Sequence, residues 1–191
     1  MPSHVDEVPD SAITKRLASR PAEPARLLGC DPNHRIGTSG SVFFVLWKGD
    51  VECRIAERVQ VSLRAFAQSL EGRRAALLTV VEHGAPLPSS DARTALANIL
   101  RYNADEVLAS AVVMEGDGFR ASAVRSVATG LALVARQPFP HRVFPRTLDA
   151  TEWLAQRLSG EPGSATAVEI SRAMDEIRAD VSARVRLRDV G

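Results

Sequence analysis

The chain contains little lysine and few aromatic residues, and it has no long hydrophobic run. Only Lys15 and Lys48 are lysines, so arginine carries almost all of the positive charge. The 24 Lys and Arg residues and the 23 Asp and Glu residues give a net charge of +1. This balance offers no bulk attraction for nucleic acid or for an anionic membrane. No apolar run approaches the ~20 residues that a membrane-spanning helix needs. The sequence therefore predicts neither a nucleic-acid-binding protein nor a membrane-spanning one.

Cysteine is also scarce. Cys30 and Cys53 are the two cysteines of a 191-residue chain, and they do not form a CxxC pair. Such usage indicates a reducing compartment and excludes a disulfide-stabilised scaffold. The polar segment Met1–Asp10 lacks the basic and apolar regions of a signal peptide. We therefore expect a cytoplasmic protein.

The apolar residues follow two alternating patterns. Short apolar runs typical of buried strands are separated by segments in which apolar residues recur at spacings of three and four. The strand candidates are Val42–Trp47, Ala75–Val81, Val107–Val113 and Arg142–Phe144. The helix candidates between and after them are Glu52–Leu70, Asp91–Tyr102, Phe119–Arg136 and Leu148–Leu158. His34–Trp47 is typical of a hairpin. The alternation predicts an α/β fold with a mixed, mostly parallel central sheet of about four or five strands flanked by helices.

Three regions follow from these patterns. Residues 1–33 form an extension interrupted by prolines, residues 34–160 form the α/β domain, and residues 161–191 contain a linker and a C-terminal amphipathic helix. This helix carries one apolar stripe at alternating spacings of four and three: Ile170, Met174, Ile177, Val181 and Val185. The stripe suits either docking on the chain's own domain or contact with another helix.

Catalytic and metal-binding motifs do not stand out. The turn Glu115–Gly118 follows a strand but lacks the third glycine of a dinucleotide loop, so it predicts a plain turn. None of the four histidines lies in an HExxH motif, and there is no GxSxG sequence. We therefore expect no catalytic residue, no metal and no cofactor.

Ser89 and Ser90 precede the helix that begins near Asp91. A serine at a helix N-terminus caps the free backbone N–H groups. A phosphate there would be stabilised by the same groups and by the helix dipole, so the two serines are also candidate phosphorylation sites.

The order of the elements over residues 34–160 resembles the STAS-like fold, the family of anti-sigma-factor antagonists and of SpoIIAA-like and SEC14-type proteins. The resemblance is carried by residues 43–51, 76–81 and 111–116, and by Val143-Phe144 followed by Asp149–Leu154. It implies a small non-enzymatic domain that binds protein partners and is sometimes regulated by serine phosphorylation. The matching serines are Ser89 and Ser90, where Pro-Ser-Ser-Asp replaces the family's Asp-Ser-Ser-Gly.

Three functional hypotheses follow. The first is a non-catalytic, STAS-like regulatory domain that contacts a protein partner or a second copy through loop 82–91 and the C-terminal helix. The second is a domain that binds or senses an apolar small molecule or lipid in a pocket between the sheet and helix 119–136. The third and least favoured is an enzyme, which would need Glu82, Glu115 and His83 to converge at the strand ends.

Overall fold

The computed structural model describes residues 23–86, 88–115 and 138–179. The predicted helix Phe119–Arg136, the residues Val181 and Val185, and most of the N-terminal extension lie outside these ranges. Within them the chain forms three layers, because a central sheet carries a separate apolar core on each face.

The described residues form a sheet of six strands, and their spatial order follows the sequence. The strands are β1 (Arg26–Cys30), β2 (His34–Ser39), β3 (Val42–Trp47), β4 (Ala75–Val81), β5 (Val107–Met114) and β6 (His141–Phe144). The helices are α1 (Cys53–Ser69), α2 (Ser90–Tyr102), α3 (Thr147–Leu158) and α4 (Ala167–Arg178). Strands β1, β2 and β3 pair in antiparallel fashion, whereas β3 to β6 are parallel. The predicted α/β class, the mixed sheet and the hairpin of β2 and β3 are confirmed.

Strand β1 is one strand more than the sequence predicted. Residues Arg26–Cys30 pair with β2, with an irregularity between Leu27 and Gly29. Their side chains alternate between exposed and half-buried. An edge strand needs little apolar surface, and Pro24 and Pro32 on either side indicated loops. The sheet therefore begins inside the segment that was expected to be an extension.

Strand β3 is buried on both faces, which explains its unbroken apolar sequence. Alternate side chains enter opposite cores because successive residues of a strand point to opposite faces. Phe43, Val45 and Trp47 belong to the core formed with α1 and α2. The residues between them belong to the core formed with α3 and α4.

The C-terminal helix α4 is part of the second core. Thr166 and Glu169 form a capping box at its start, and Arg35 Nη1 donates hydrogen bonds to the carbonyl oxygens of Ile177 (2.8 Å) and Arg178 (2.5 Å) at its end. Both termini of the helix thus have partners for their backbone groups.

Gly37 on β2 allows α4 to lie close to the sheet. A Cβ atom at this position would lie 2.6 Å from Ile177 Cδ1 and 2.9 Å from Ile177 Cγ1. Any larger residue at Gly37 therefore displaces either α4 or the Ile177 side chain.

We expect the substitution Gly37→Ala to lower the free energy of unfolding by about 1–3 kcal/mol because it overpacks this contact. Urea unfolding measures the change. Gly29→Ala is the matched control, since its new Cβ would meet nothing nearer than Ile36 Cδ1 at 3.8 Å. Adding Ile177→Val to Gly37→Ala should restore part of the loss, because it removes Cδ1. Equal effects of the two glycine substitutions would contradict this account.

Candidate functional site

A partly enclosed apolar cavity of about 110 Å³ lies between the sheet and the α1–α2 layer. Its floor is formed by side chains of β3, β4, β5 and β6, its wall by α2, and its rim by the loop after β4. The floor includes Val45, Trp47, Leu77, Thr79 and Val112; the wall includes Leu96, Ala97, Ile99 and Leu100; the rim includes Ala85, Pro86 and Pro88.

The cavity exists because α2 does not pack fully onto the sheet. Ala92 and Ile99 are its fully buried residues, whereas Leu96, Ala97 and Leu100 are only half-buried. These half-buried side chains line the cavity. Helix α3, in contrast, buries four large or branched side chains in the opposite core: Thr151, Trp153, Leu154 and Leu158.

Three polar side chains, Thr79, Ser110 and His141, are among the described residues that line this mainly apolar space, and two of them are neighbours. Ser110 on β5 and His141 on β6 are paired in the parallel register, so they lie side by side on the floor. Ser110 is fully buried. In the part of the chain that the structure describes, neither Ser110 Oγ nor His141 Nδ1 has a hydrogen-bond partner. A buried polar group without a partner costs roughly 1–3 kcal/mol, so a molecule in the cavity that bonds to this pair would gain stability.

Burial lowers the pKa of His141 below the ordinary histidine value of 6.5. The cause is desolvation, which disfavours the charged imidazolium. The imidazole is therefore uncharged at neutral pH and offers one nitrogen as a donor and the other as an acceptor.

The floor residue Trp47 packs against a second histidine, which no motif in the sequence indicates as a site residue. The ring of buried His34 lies 5.8 Å from the Trp47 ring, and His34 Nδ1 lies 2.6 Å from Asp31 Oδ2. Burial by itself would raise the pKa of Asp31, but the backbone N–H groups of Asn33 and His34 and the His34 imidazole outweigh this and lower it. In the sequence, the tight turn Asp31–His34 was the signal that could have indicated this contact, because Asp side chains accept hydrogen bonds from the backbone in such turns.

The two candidate phosphorylation sites lie beside the cavity rim. Ser89 is the N-cap of α2, and its Oγ accepts a hydrogen bond from the backbone N–H of Ala92 at 3.2 Å. Both Ser89 and Ser90 are exposed. The adjacent residue Pro88 lines the cavity and accepts a hydrogen bond from Arg93 Nη1 at 3.2 Å. The capping role is therefore observed, and phosphorylation stays a prediction.

The apolar stripe of the C-terminal helix lies in the chain's own core. Ile170, Met174 and Ile177 are buried against the sheet and α3. The prediction that the stripe contacts a partner stays open for Val181 and Val185, which lie outside the described residues. While α4 remains docked, the three buried residues are not accessible to another molecule.

The carboxylates of Glu82 and Glu115 do converge, but on the end of α4. Arg178 Nη2 lies 2.6 Å from Glu115 Oε1, and Arg178 Nε lies 3.8 Å from Glu82 Oε1. Thr147 Oγ1 also donates a hydrogen bond to Glu115 Oε1 at 3.3 Å. His83 is exposed on the following loop. This cluster ties α4 to the carboxyl ends of β4 and β5.

The described residues contain neither a metal-binding cluster nor a membrane-spanning helix. They contain no group of three or more His, Cys, Asp or Glu side chains placed to hold a metal ion. No described helix has both the length and the apolar character to cross a lipid bilayer.

The chain shows little sequence similarity to known proteins. No protein-family model matches the chain, and no curated protein matches its sequence. One similar solved structure is that of an uncharacterised protein of the DUF3478 family with a SpoIIAA-like fold, from Shewanella loihica PV-4. The two chains are 15% identical, the similarity covers 71% of this chain and 98% of the other, and the TM-score is 0.42. That description names the fold family that the sequence resembles.

The buried imidazole predicts a pH dependence of stability. Because the folded-state pKa of His141 is below its ordinary value, the unfolded chain binds this proton more tightly. The contribution of His141 is complete above about pH 6.5 and is lost as pH falls from there towards the folded-state pKa. We expect His141→Gln to reduce the difference in unfolding free energy between about pH 7.5 and about pH 5.5.

Urea unfolding at the two pH values measures this difference. His83→Gln is the matched control, because His83 is exposed on a loop. If His141→Gln and His83→Gln change the pH dependence equally, the effect does not come from the burial of His141.

Proposed function

We propose that this chain is a non-catalytic, STAS-like cytoplasmic domain that binds a small, mainly apolar molecule in the cavity between the sheet and α2. The cavity itself is the observation that supports this function. Its described lining is apolar except for a few groups that include Thr79, Ser110 and His141. Small-molecule sites in proteins commonly combine apolar walls with a few polar groups that orient the ligand.

An empty space of this size would be costly. Protein interiors pack as densely as organic crystals, and voids larger than a water molecule are few. A fully enclosed cavity costs about 24 cal/mol per Å³, which sets an upper limit of roughly 3 kcal/mol for this partly enclosed volume of about 110 Å³. A bound apolar molecule recovers part of this free energy.

The volume limits the size of the bound group. An engineered apolar cavity of roughly 150 Å³ stays dry and binds benzene. The cavity of about 110 Å³ described here is of the same order. It therefore suits one ring or a short branched chain, either as a whole ligand or as the buried end of a longer one.

The first test uses benzene and toluene as probes. At about ten times its Kd, either probe should stabilise the folded protein by about 1.4 kcal/mol, which raises the Tm by a few degrees. Ala97→Leu on α2 should abolish the increase, because the larger side chain fills the cavity.

Ala155→Leu is the matched control, since Ala155 packs against the opposite core. It should respond to the probes as the unaltered protein does. An unchanged Tm of the unaltered protein with both probes would count against the proposed function, as would a normal response of Ala97→Leu.

A second function, regulated contact with a protein partner or a second copy, is favoured by the position of Ser89 and Ser90. Both are exposed at the N-terminus of α2. A phosphate there would meet the free N–H groups and the positive end of the helix dipole. It would also lie next to Pro88 on the cavity rim, so modification and ligand binding would affect the same loop.

Mass spectrometry of the protein isolated from its own cells tests this second function. We expect a phosphate-sized mass increment on Ser89 or Ser90 that is lost in the variant Ser89→Ala/Ser90→Ala. Ser159 is an internal control, because it caps the C-terminus of α3, where the dipole disfavours a phosphate. Unmodified Ser89 and Ser90 in both growing and starved cells would contradict the prediction.

A further inference from the structure

The polar pair on the cavity floor restricts the chemistry of the ligand. Ser110 and His141 are register partners on adjacent parallel strands, and both line the cavity. Ser110 Oγ is fully enclosed, and neither it nor His141 Nδ1 has a hydrogen-bond partner among the described residues. Buried hydroxyl and imidazole groups are almost always hydrogen-bonded in proteins. Their unused donors and acceptors therefore point to a group that a bound molecule supplies.

The described lining carries no charged side chain that could pair with an ionic ligand. No Asp, Glu, Lys or Arg is among the described residues that line the cavity. Burial keeps the His141 imidazole uncharged at neutral pH. A carboxylate or an ammonium group that entered would lose its hydration without gaining an opposite charge, which strongly disfavours binding. The ligand group at the floor must therefore be neutral.

The hydrogen-bonding capacities of the pair indicate the kind of neutral group. A serine hydroxyl both donates and accepts, and an uncharged imidazole has one donor and one acceptor nitrogen. A ligand hydroxyl has the same dual character, so one oxygen atom can donate to the imidazole nitrogen and accept from Ser110 Oγ. A methyl group of similar size would leave both protein groups unsatisfied.

The shape of the site supplies the remaining constraint. The space beyond the polar pair is bounded by Val45, Leu77, Leu96 and Val112, and its volume of about 110 Å³ suits a single ring. The hydroxyl and the ring must therefore belong to one small molecule with its polar atom at one end.

We propose that the cavity is specific for uncharged monocyclic hydroxyl compounds of the phenol class, with Ser110 and His141 binding the hydroxyl group. This inference rests on the proposed ligand-binding function. It adds the chemical class of the ligand and assigns the two residues that distinguish a hydroxyl from a methyl group or a charged group.

Isothermal titration at about pH 7.5 with phenol, toluene and benzoate tests the assignment. Toluene has nearly the shape of phenol without the hydroxyl, and benzoate carries a charge. We expect phenol to bind at least tenfold more tightly than toluene, because toluene leaves the pair unsatisfied. Benzoate should show no binding at concentrations that saturate the site with phenol.

Two serine variants test which residue causes the preference for phenol over toluene. Ser110→Ala should bring the affinities for phenol and toluene to within about threefold of each other, because it removes one hydrogen-bond partner. Ser41→Ala is the matched control. Ser41 is also buried and its Oγ also lacks a partner in the described part of the chain, but it is not among the residues lining the cavity. It should retain the full preference for phenol.

The outcomes separate this inference from the proposed function. If toluene binds the unaltered protein as tightly as phenol, ligand binding stands and the assigned class is wrong. If none of the three compounds binds, both proposals fail. If Ser110→Ala keeps the preference for phenol, Ser110 is not the selecting group. The comparison of phenol with toluene in the unaltered protein requires no variant, so a folding defect of Ser110→Ala leaves the test intact.

Discussion

The burial of the central strands on both faces is the constraint on which the rest of the structure depends. Strand β3 is fully enclosed, and β4 and β5 are nearly so, because a helical layer covers each side of the sheet. The two layers meet the sheet differently. On the α3–α4 side, large side chains such as Phe44, Leu154 and Met174 fill the core. On the α1–α2 side, the small residues Ala97 and Ser110 border an unfilled volume. One face is therefore filled by large side chains, and the other contains a cavity.

Contacts on the face covered by α3 and α4 explain why the C-terminal helix α4 belongs to the fold. Gly37 lets α4 approach β2, Arg35 donates to the last carbonyl oxygens of the helix, and Arg178 pairs with the carboxylates that follow β4 and β5. Each contact joins residues distant in sequence, and none involves the cavity lining. A mutation on this face should thus reduce stability, whereas a mutation on the other face can alter binding while the sheet remains intact.

The cavity and the serine pair belong to one structural unit. The loop after β4 contributes Ala85, Pro86 and Pro88 to the rim and then begins α2 at Ser90. The same helix forms the cavity wall with Leu96 and its neighbours. A charge added at Ser89 would act on the first turn of a helix that also lines the cavity. This continuity connects the two proposed functions without requiring a separate regulatory site.

Much of the fold could be predicted from the sequence because it depends on local patterns. Buried parallel strands are continuous apolar runs, and amphipathic spacing marked α1 and α2. Strand β1 was not predicted, because an edge strand with flanking prolines has no such pattern. The apolar stripe containing Ile170 predicted that one face of the C-terminal helix is covered. It did not show whether the chain's own domain or another helix covers that face, since periodicity does not identify the covering surface.

The candidate site was harder to predict because a cavity is a property of how layers fit together. Ser89 was recognised as a cap because capping is local. A pocket was expected against helix 119–136, which lies outside the described residues, whereas the cavity is bounded by the sheet and α2. One signal was available: Ser110 interrupts the apolar run Val107–Met114. A hydroxyl in the middle of a buried strand needs a partner, and the sequence alone cannot show that the described residues provide none.

The adjacency of a serine and a histidine raises the alternative of nucleophilic catalysis, and the geometry favours binding instead. A catalytic serine is activated by a hydrogen bond to its base, and an oxyanion hole needs backbone N–H groups that are free. Ser110 Oγ and His141 Nδ1 have no such bond to each other, since neither has a partner among the described residues. The backbone N–H of Ser110 already donates to the carbonyl oxygen of Pro140 at 2.9 Å. Within the described residues, the pair thus has the free hydrogen-bonding groups that the proposed ligand binding needs, and no contact that would activate Ser110.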